Sequence, residues 1–359
     1  MNTQELLKTN LIVRHLGGSH AYGMNTPTSD IDYRGIFFAP EISVRTPFFA
    51  MKEIADTSEE DTKYHELTHF MKLAVDCNPN IIETLWVDDS VIEVRTPAYD
   101  LLRARRDDLL SKKAAFTFTG YAFAQLKRIK GHNKWINNPQ DEKPPRQIDY
   151  VSLVQNFTDE KVFKLDFETT RDGWILFHYG NDLYGLYRHE GFTAYNGDYS
   201  INPFKEEQAT SNPFLQDETG QFRKTPQYLV KFNREQYKQD KEIWKNYWNW
   251  KRSRNEKRSE LEEKFGYDTK HAAHLIRLLR MGNEILEQGQ VIVQRPDAAE
   301  LLDIRAGKWK YEELVEYAEG LDKNIREVLY KTSSLRHSPD YNVAAKVLMD
   351  VQDICWSKK

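Results

Sequence analysis

Only two cysteines, Cys77 and Cys355, occur in the 359 residues, and they lie far apart. That excludes a disulfide framework and a thiolate zinc cluster alike. No apolar run approaches the roughly 20 residues needed to cross a bilayer. Met1 to Asn10 carries no apolar signal-peptide core, so a cytoplasmic protein is expected. Excess charge of one sign is also missing: a net charge of −4 argues against a protein that coats nucleic acid non-specifically, and leaves room for a local basic patch. There is no Gly-x4-Gly-Lys-Ser/Thr loop and no kinase motif set, which removes the commoner ATP-using folds. Histidines offer no obvious metal site either. His15, His65, His69 and His178 lack a ligand spacing, and His271 and His274 stand three apart with no thiol or carboxylate in their motif.

What is present fits a folded protein: 40% apolar and 30% charged residues, in a chain long enough for two domains. Its most informative stretch is Gly17-Gly18-Ser19-His20-Ala21-Tyr22-Gly23, followed by Ser29-Asp30-Ile31-Asp32-Tyr33-Arg34-Gly35. Leu11 to Leu16 reads as a strand ending at the glycines, which let backbone N–H groups approach a phosphate. A second strand is expected over residues 30–38, with only a short helix, Ala21 to Asn25, before it. The strand's period of two then puts Asp30, Asp32 and Arg34 on one face. Two hard oxygen ligands beside a phosphate-binding turn suit Mg²⁺-dependent phosphoryl or nucleotidyl transfer. Arg34 would either enter that site or neutralise the carboxylates in the absence of metal.

The run Gly18-Ser19-x3-Gly23-x6-Asp30-x-Asp32 resembles the signature of the DNA polymerase β-type nucleotidyltransferase superfamily, and most closely a branch of predicted nucleotidyltransferases from bacteria and their phages. Weaker resemblance continues through Asn78-Pro79-Asn80-x2-Glu83-x-Leu85, Lys112-Lys113-Ala114 and Gly266-Tyr267-Asp268-Thr269-Lys270-His271-Ala272-x-His274-Leu275. The resemblance implies transfer of an NMP unit from an NTP such as ATP to a hydroxyl acceptor, with release of pyrophosphate. It implies Mg²⁺ or Mn²⁺ held by Asp30, Asp32 and a third carboxylate from an adjacent strand, and phosphates held by Gly18 and Ser19. Asp61 is the third carboxylate by resemblance; Glu66 competes with it. The two have opposite parity on a regular strand, so only one can face the site.

Late in the chain Lys270, His274, Arg277 and Met281 fall at i, i+4, i+7, i+11, giving one helix face three potential cations. They are expected to grip phosphates across a cleft from the strand carboxylates, whereas the adjoining face, His271, Leu275, Leu278 and Gly282, packs inward. The bland alternative is a solvated face paired with Glu and Asp.

The remaining pattern predicts a third strand over 62–67, a helix over 70–75 capped by Thr68, and helices over 98–110 and 112–129. A polar, proline-rich break follows at 136–148, then a small antiparallel β insert near 172–201, a loop over 203–226, one long charged helix over 232–264, and three more helices. In the long helix Ile243, Tyr247 and Trp250 form a buried stripe, which competes with a base-stacking reading of its Trp and Lys residues. The expected architecture is α+β: a catalytic domain over 1–97 with a mixed sheet, and a mostly helical domain over 98–359, with the site between them. The acceptor is ranked as RNA, particularly a tRNA-like 3′ end, then protein, then a small molecule. The rival from another class is a non-catalytic nucleotide sensor or nucleic-acid-binding protein on a transferase scaffold. Oligomeric state is not legible.

Overall fold

The computed structural model describes residues 3–56, 61–158, 172–193, 215–254 and 256–357. The acidic pair Glu59-Glu60, the end of the expected β insert and much of the expected loop over 203–226 lie outside these. The chain forms two compact units, one made of residues 1–137 and 255–359, the other of residues 138–254.

The first unit opens with α1 (Thr3–Asn10), β1 (Leu11–Leu16), α2 (Gly18–Ala21), β2 (Asp32–Phe37) and α3 (Glu41–Arg45). It continues through β3 (Glu53–Asp56), β4 (Asp61–Glu66), α4 (Leu67–Val75), α5 (Pro79–Ile82), β5 (Ile92–Arg95), α6 (Pro97–Ala104) and α7 (Lys113–Asn137). The five strands make one mixed sheet in the order β3-β4-β2-β1-β5. β2 runs parallel to β4, while its other neighbour, β1, is antiparallel to it. The expected helix after the glycines begins earlier than Ala21, because Gly17 and Gly18 themselves start the turn.

The second unit holds β6 (Val151–Asn156), β7 (Asp172–Gly180), β8 (Leu183–Thr193), β9 (Tyr228–Phe232) and α8 (Arg234–Ser253). Its sheet is antiparallel, ordered β6-β9-β8-β7. The β7–β8 hairpin closes on Asn181 and Asp182, both at positive φ, the chemistry a tight two-residue turn requires. The expected insert is therefore the hairpin of a larger sheet. Tyr184, Leu186, Tyr228, Val230 and Phe232 pack with Tyr237 of α8 as its core. The long charged helix is two helices, because Arg254 is extended (φ −67°, ψ 138°). The stripe read from its sequence also shifts. Tyr247 is buried but Ile243 is 42% exposed, and the indole N–H groups of Trp244 and Trp248 both donate to the Asp141 carbonyl.

The chain then returns to the first unit through α9 (Glu256–Phe265), α10 (Thr269–Gln288), α11 (Ala298–Arg305), α12 (Tyr311–Asn324) and α13 (Tyr341–Trp356). One apolar core joins Ile12, Val13 and Ile36 of the sheet, Phe70 of α4, Tyr99 of α6, Phe118 of α7, Leu275 and Leu278 of α10, and Val347 and Val351 of α13. Gly282 lets α10 lie against α7, since a Cβ there would come within 3.1 Å of the Phe118 Cβ. Residue 97, the boundary expected from sequence, therefore falls inside one continuous core. No described helix is long and apolar enough to cross a membrane.

Candidate active site

The site grows from the turn between β1 and α2. Gly18 adopts φ +54°, a conformation glycine takes without penalty. The Gly17 N–H donates to the Asp32 carbonyl at 2.7 Å, tying the turn to the start of β2. A Cβ on Gly18 would sit 2.1 Å from Asp32 Oδ2, so its bare backbone is what makes room for the carboxylate.

In the parallel pairing of β2 with β4, Asp32 stands opposite Asp61. Side chains opposite one another on adjacent strands share a face, which puts these two carboxylates together. Asp30 lies two residues before Asp32, on the exposed lead-in rather than in the strand, yet lines the same cavity. Burial is the main influence raising the Asp32 pKa; Arg34 opposes it, Asp61 and Asp30 add to it, and Lys270 opposes it. Arg34 lies among the acids: its Nη2 is 2.9 Å from Asp61 Oδ2 and 3.9 Å from Asp32 Oδ1, and its Nη1 donates to the Asp61 carbonyl at 2.6 Å.

Glu66 does not compete with Asp61. It ends β4, and its Oε2 accepts from the backbone N–H groups of Thr68 (2.7 Å) and His69 (3.2 Å), capping α4. This is the cap expected of Thr68. A carboxylate there also complements the positive end of the helix.

A cavity of about 540 Å³, within the range of small-molecule sites, is lined by Gly18, Ser19, Asp30, Asp32, Arg34 and Lys270 among others. His274 and Arg277 of α10 also line it, but neither is the available cation read from the helix spacing. Burial, followed by the charge of Arg277, lowers the His274 pKa to about 3, so the imidazole is neutral. Arg277 is buried, its Nη1 2.8 Å from Glu83 Oε1, and its guanidinium stacks 3.7 Å over the Tyr22 ring. Tyr22 in turn donates to Glu83 Oε2 at 2.6 Å. Lys270, exposed at the start of α10, also lines the cavity, and its charge acts on Asp32.

Sequence reasoning singled out neither Glu83 as a partner nor His15. Glu83 did carry a signal: a carboxylate within Ile81-Ile82-Glu83-Thr84-Leu85 is buried with its neighbours and needs a buried cation. His15 is 3% exposed on β1. The Leu16 carbonyl can only accept, so His15 Nδ1 carries the proton and donates to it at 2.8 Å, while Nε2 accepts from the Thr84 hydroxyl at 3.2 Å. Burial chiefly lowers its pKa to about 4.

This has a sign that can be checked. A histidine neutral in the folded state and basic in the unfolded one contributes stability above pH ~6.5, which is lost as pH falls toward the folded value. Lowering the pH from 7 to 5 is expected to cost about 2 kcal/mol through His15. Urea unfolding at both pH values should show that increment shrinking in His15→Gln, which cannot take up the proton.

Residues 2–139 match the RNA repair pathway DNA polymerase beta family, RlaP. The chain is also 32% identical over 83 residues to an Enterobacteria phage T4 protein described as an uncharacterized 38.9 kDa protein in the nrdC-mobD intergenic region. That alignment covers 21% of this chain and 25% of the phage protein, so the chain matches about a quarter of its relative's length. No solved structure matches. The glycine turn, the aspartates on and beside β2, and the β4 strand beside it all fall within the matched residues, so over this part the chain is similar to the polymerase β-type nucleotidyltransferases.

Proposed function

We propose that this protein is a divalent-metal-dependent nucleotidyltransferase that moves an NMP unit from an NTP to a hydroxyl on RNA, releasing pyrophosphate. The observation that carries the reading is the side-by-side placement of Asp32 and Asp61 across parallel strands, with the Cβ-free Gly18 against Asp32. Asp30 and Asp32 line the cavity and Asp61 stands beside Asp32 on the next strand, a grouping of carboxylates that suits a divalent cation; burial and its acidic neighbours raise the Asp32 pKa. Asp30, Asp32 and Asp61 would hold Mg²⁺ or Mn²⁺. Such ions supply positive charge to the attacking and leaving oxygens of an in-line displacement.

The protein's own residues do the rest. Gly18 and Ser19 present the turn to the phosphates, and Lys270 adds charge from the opposite wall. Neutral His15 and His274 line the cavity without adding repulsion to a cation. Were Asp61 to hold a metal, Arg34, which now pairs with it, would be the residue placed to meet phosphate charge. RNA ranks first as acceptor, on the description of the matched family; protein and small-molecule hydroxyls follow.

A second reading has one observation in its favour. The Arg34–Asp61 pair already neutralises part of the acidic cluster, as it would in a nucleotide sensor that needs no metal. One experiment separates the two. The protein is incubated with each α-³²P-labelled NTP, Mg²⁺ or Mn²⁺, and cellular RNA and protein, beside an Asp30→Ala/Asp32→Ala control. Metal-dependent label on RNA, absent from the control, is expected. NTP binding indifferent to metal, with no label transferred, would establish the sensor instead.

A further inference from the structure

A second group of metal-ligating side chains lies outside the cavity, where α7, α9 and the start of α10 meet. His132 comes from α7, Glu262 from α9, and Asp268 precedes α10 as its N-cap. His132 Nδ1 is 3.7 Å from Glu262 Oε1 and 3.7 Å from Asp268 Oδ2. All three ligand atoms fall within 4.8 Å of one another. A tetrahedral ion with bonds of about 2.1 Å has ligands about 3.4 Å apart, so each carboxylate oxygen need approach His132 Nδ1 by only a few tenths of an ångström. Glu262 and Asp268 have side chains 5% and 4% exposed, so this is not a solvated acidic face.

The surroundings are those of a held ligand set. His271 Nδ1 lies 2.5 Å from Asp268 Oδ2, and its backbone N–H donates to Oδ1 at 3.0 Å. Arg128 approaches the other ring nitrogen of His271 at 3.3 Å. The His271 ring therefore directs its proton at Asp268, fixing the carboxylate from outside as supporting residues fix metal ligands. The sequence offered His271 and His274 as a histidine pair without an acid. The fold instead brings two acids and His132 together, and turns His274 toward the cavity.

We propose that His132, Glu262 and Asp268 bind a structural zinc ion, with His271 orienting Asp268 and water completing the tetrahedron. One imidazole and two carboxylates are an acceptable donor set for Zn²⁺. The consequence follows from topology. His132 lies just before residue 138, where the second unit begins, and Glu262 just after residue 254, where it ends. The ion clamps together the two segments between which that unit is inserted. It also anchors Asp268, two residues from the cavity-lining Lys270.

The test uses the full-length chain, stripped with EDTA and titrated with Zn²⁺ alone. Asp32→Ala protein is measured alongside, so that zinc held by the β2 and β4 carboxylates is counted separately. The expected result is one tightly held zinc per chain that survives Asp32→Ala, raises the melting temperature by several degrees, and gives a tetrahedral visible spectrum when replaced by Co²⁺. His132→Gln and Glu262→Gln should each weaken zinc binding about 100-fold or more. Zinc that persists unchanged in both variants, held for instance by Glu53, His65 and His69, whose ligand atoms the fold also brings within 4.8 Å of one another, would overturn the proposal. So would wild-type protein that retains no zinc, whatever the variants do.

Discussion

Gly18→Ala is expected to reduce divalent-ion binding, and with it nucleotidyl transfer, by about 100-fold or more while leaving the fold intact. The added Cβ would lie 2.1 Å from Asp32 Oδ2 and 3.2 Å from its Cγ, so one of two things must move. If the backbone leaves φ +54°, the turn rotates and the Gly17 N–H bond to the Asp32 carbonyl is strained or lost. If the backbone stays, alanine bears about 1–2 kcal/mol of left-handed strain and the carboxylate swings away from Asp61. Either displaces a ligand by about 1 Å, and misplacement of that size is worth roughly 100-fold in a site that works by positioning. The readout that needs no knowledge of the acceptor is Mn²⁺ binding in the presence of NTP, followed by loss of the free-ion electron paramagnetic resonance signal. A double-mutant cycle sharpens it. If Gly18 serves by making room for Asp32, then Gly18→Ala should cost little in an Asp32→Ala background, where the obstructed carboxylate is already gone. Equal losses in both backgrounds would mean that Gly18 acts through the phosphates alone.

The parts of the site legible in the sequence are those written locally. The glycines and the first aspartates lie within a short stretch, so turn chemistry brings them near one another, while Asp30 precedes β2 and lies outside the reach of its periodicity. Parity says only that Asp61 and Glu66 cannot share a face; the choice of Asp61 comes from the family resemblance. The structure adds the reason Glu66 lies elsewhere: it ends the strand and caps the next helix. Helix spacing on α10 grouped Lys270, His274 and Arg277, which all line the cavity, but spacing carries no information about what a side chain meets across the fold. Glu83 is 194 residues from Arg277, and its burial lowers the solvent competition that would otherwise leave the arginine available. The same blindness hid His132, Glu262 and Asp268, which assemble only because α9 returns to α7 after an inserted unit. That insertion also explains the misplaced boundary at residue 97, since a split domain leaves no composition change where its halves rejoin.

Arg277→Met is expected to destabilise the protein by about 3–5 kcal/mol, the cost of leaving a buried carboxylate without its cation. Glu83 would retain only the Tyr22 hydroxyl as donor, in surroundings formed by Ile81, Ile82, Leu85 and the α10 core. Removing the charges together should cost far less. In Tyr22→Phe/Glu83→Leu/Arg277→Met, no polar group of the triad is left unsatisfied, and most of the urea midpoint should return. The comparison also decides between two roles for Arg277. A phosphate-gripping arginine would lower NTP affinity on replacement and leave stability alone. An arginine committed to Glu83 and stacked on Tyr22 should do the reverse: a large fall in the urea midpoint, with NTP affinity measured well below the transition changed by less than a few fold. Tyr22 follows directly from the turn that carries Gly18 and Ser19. The Glu83 pair therefore acts on that turn through packing, and its contribution to the site is to hold the turn's far end still.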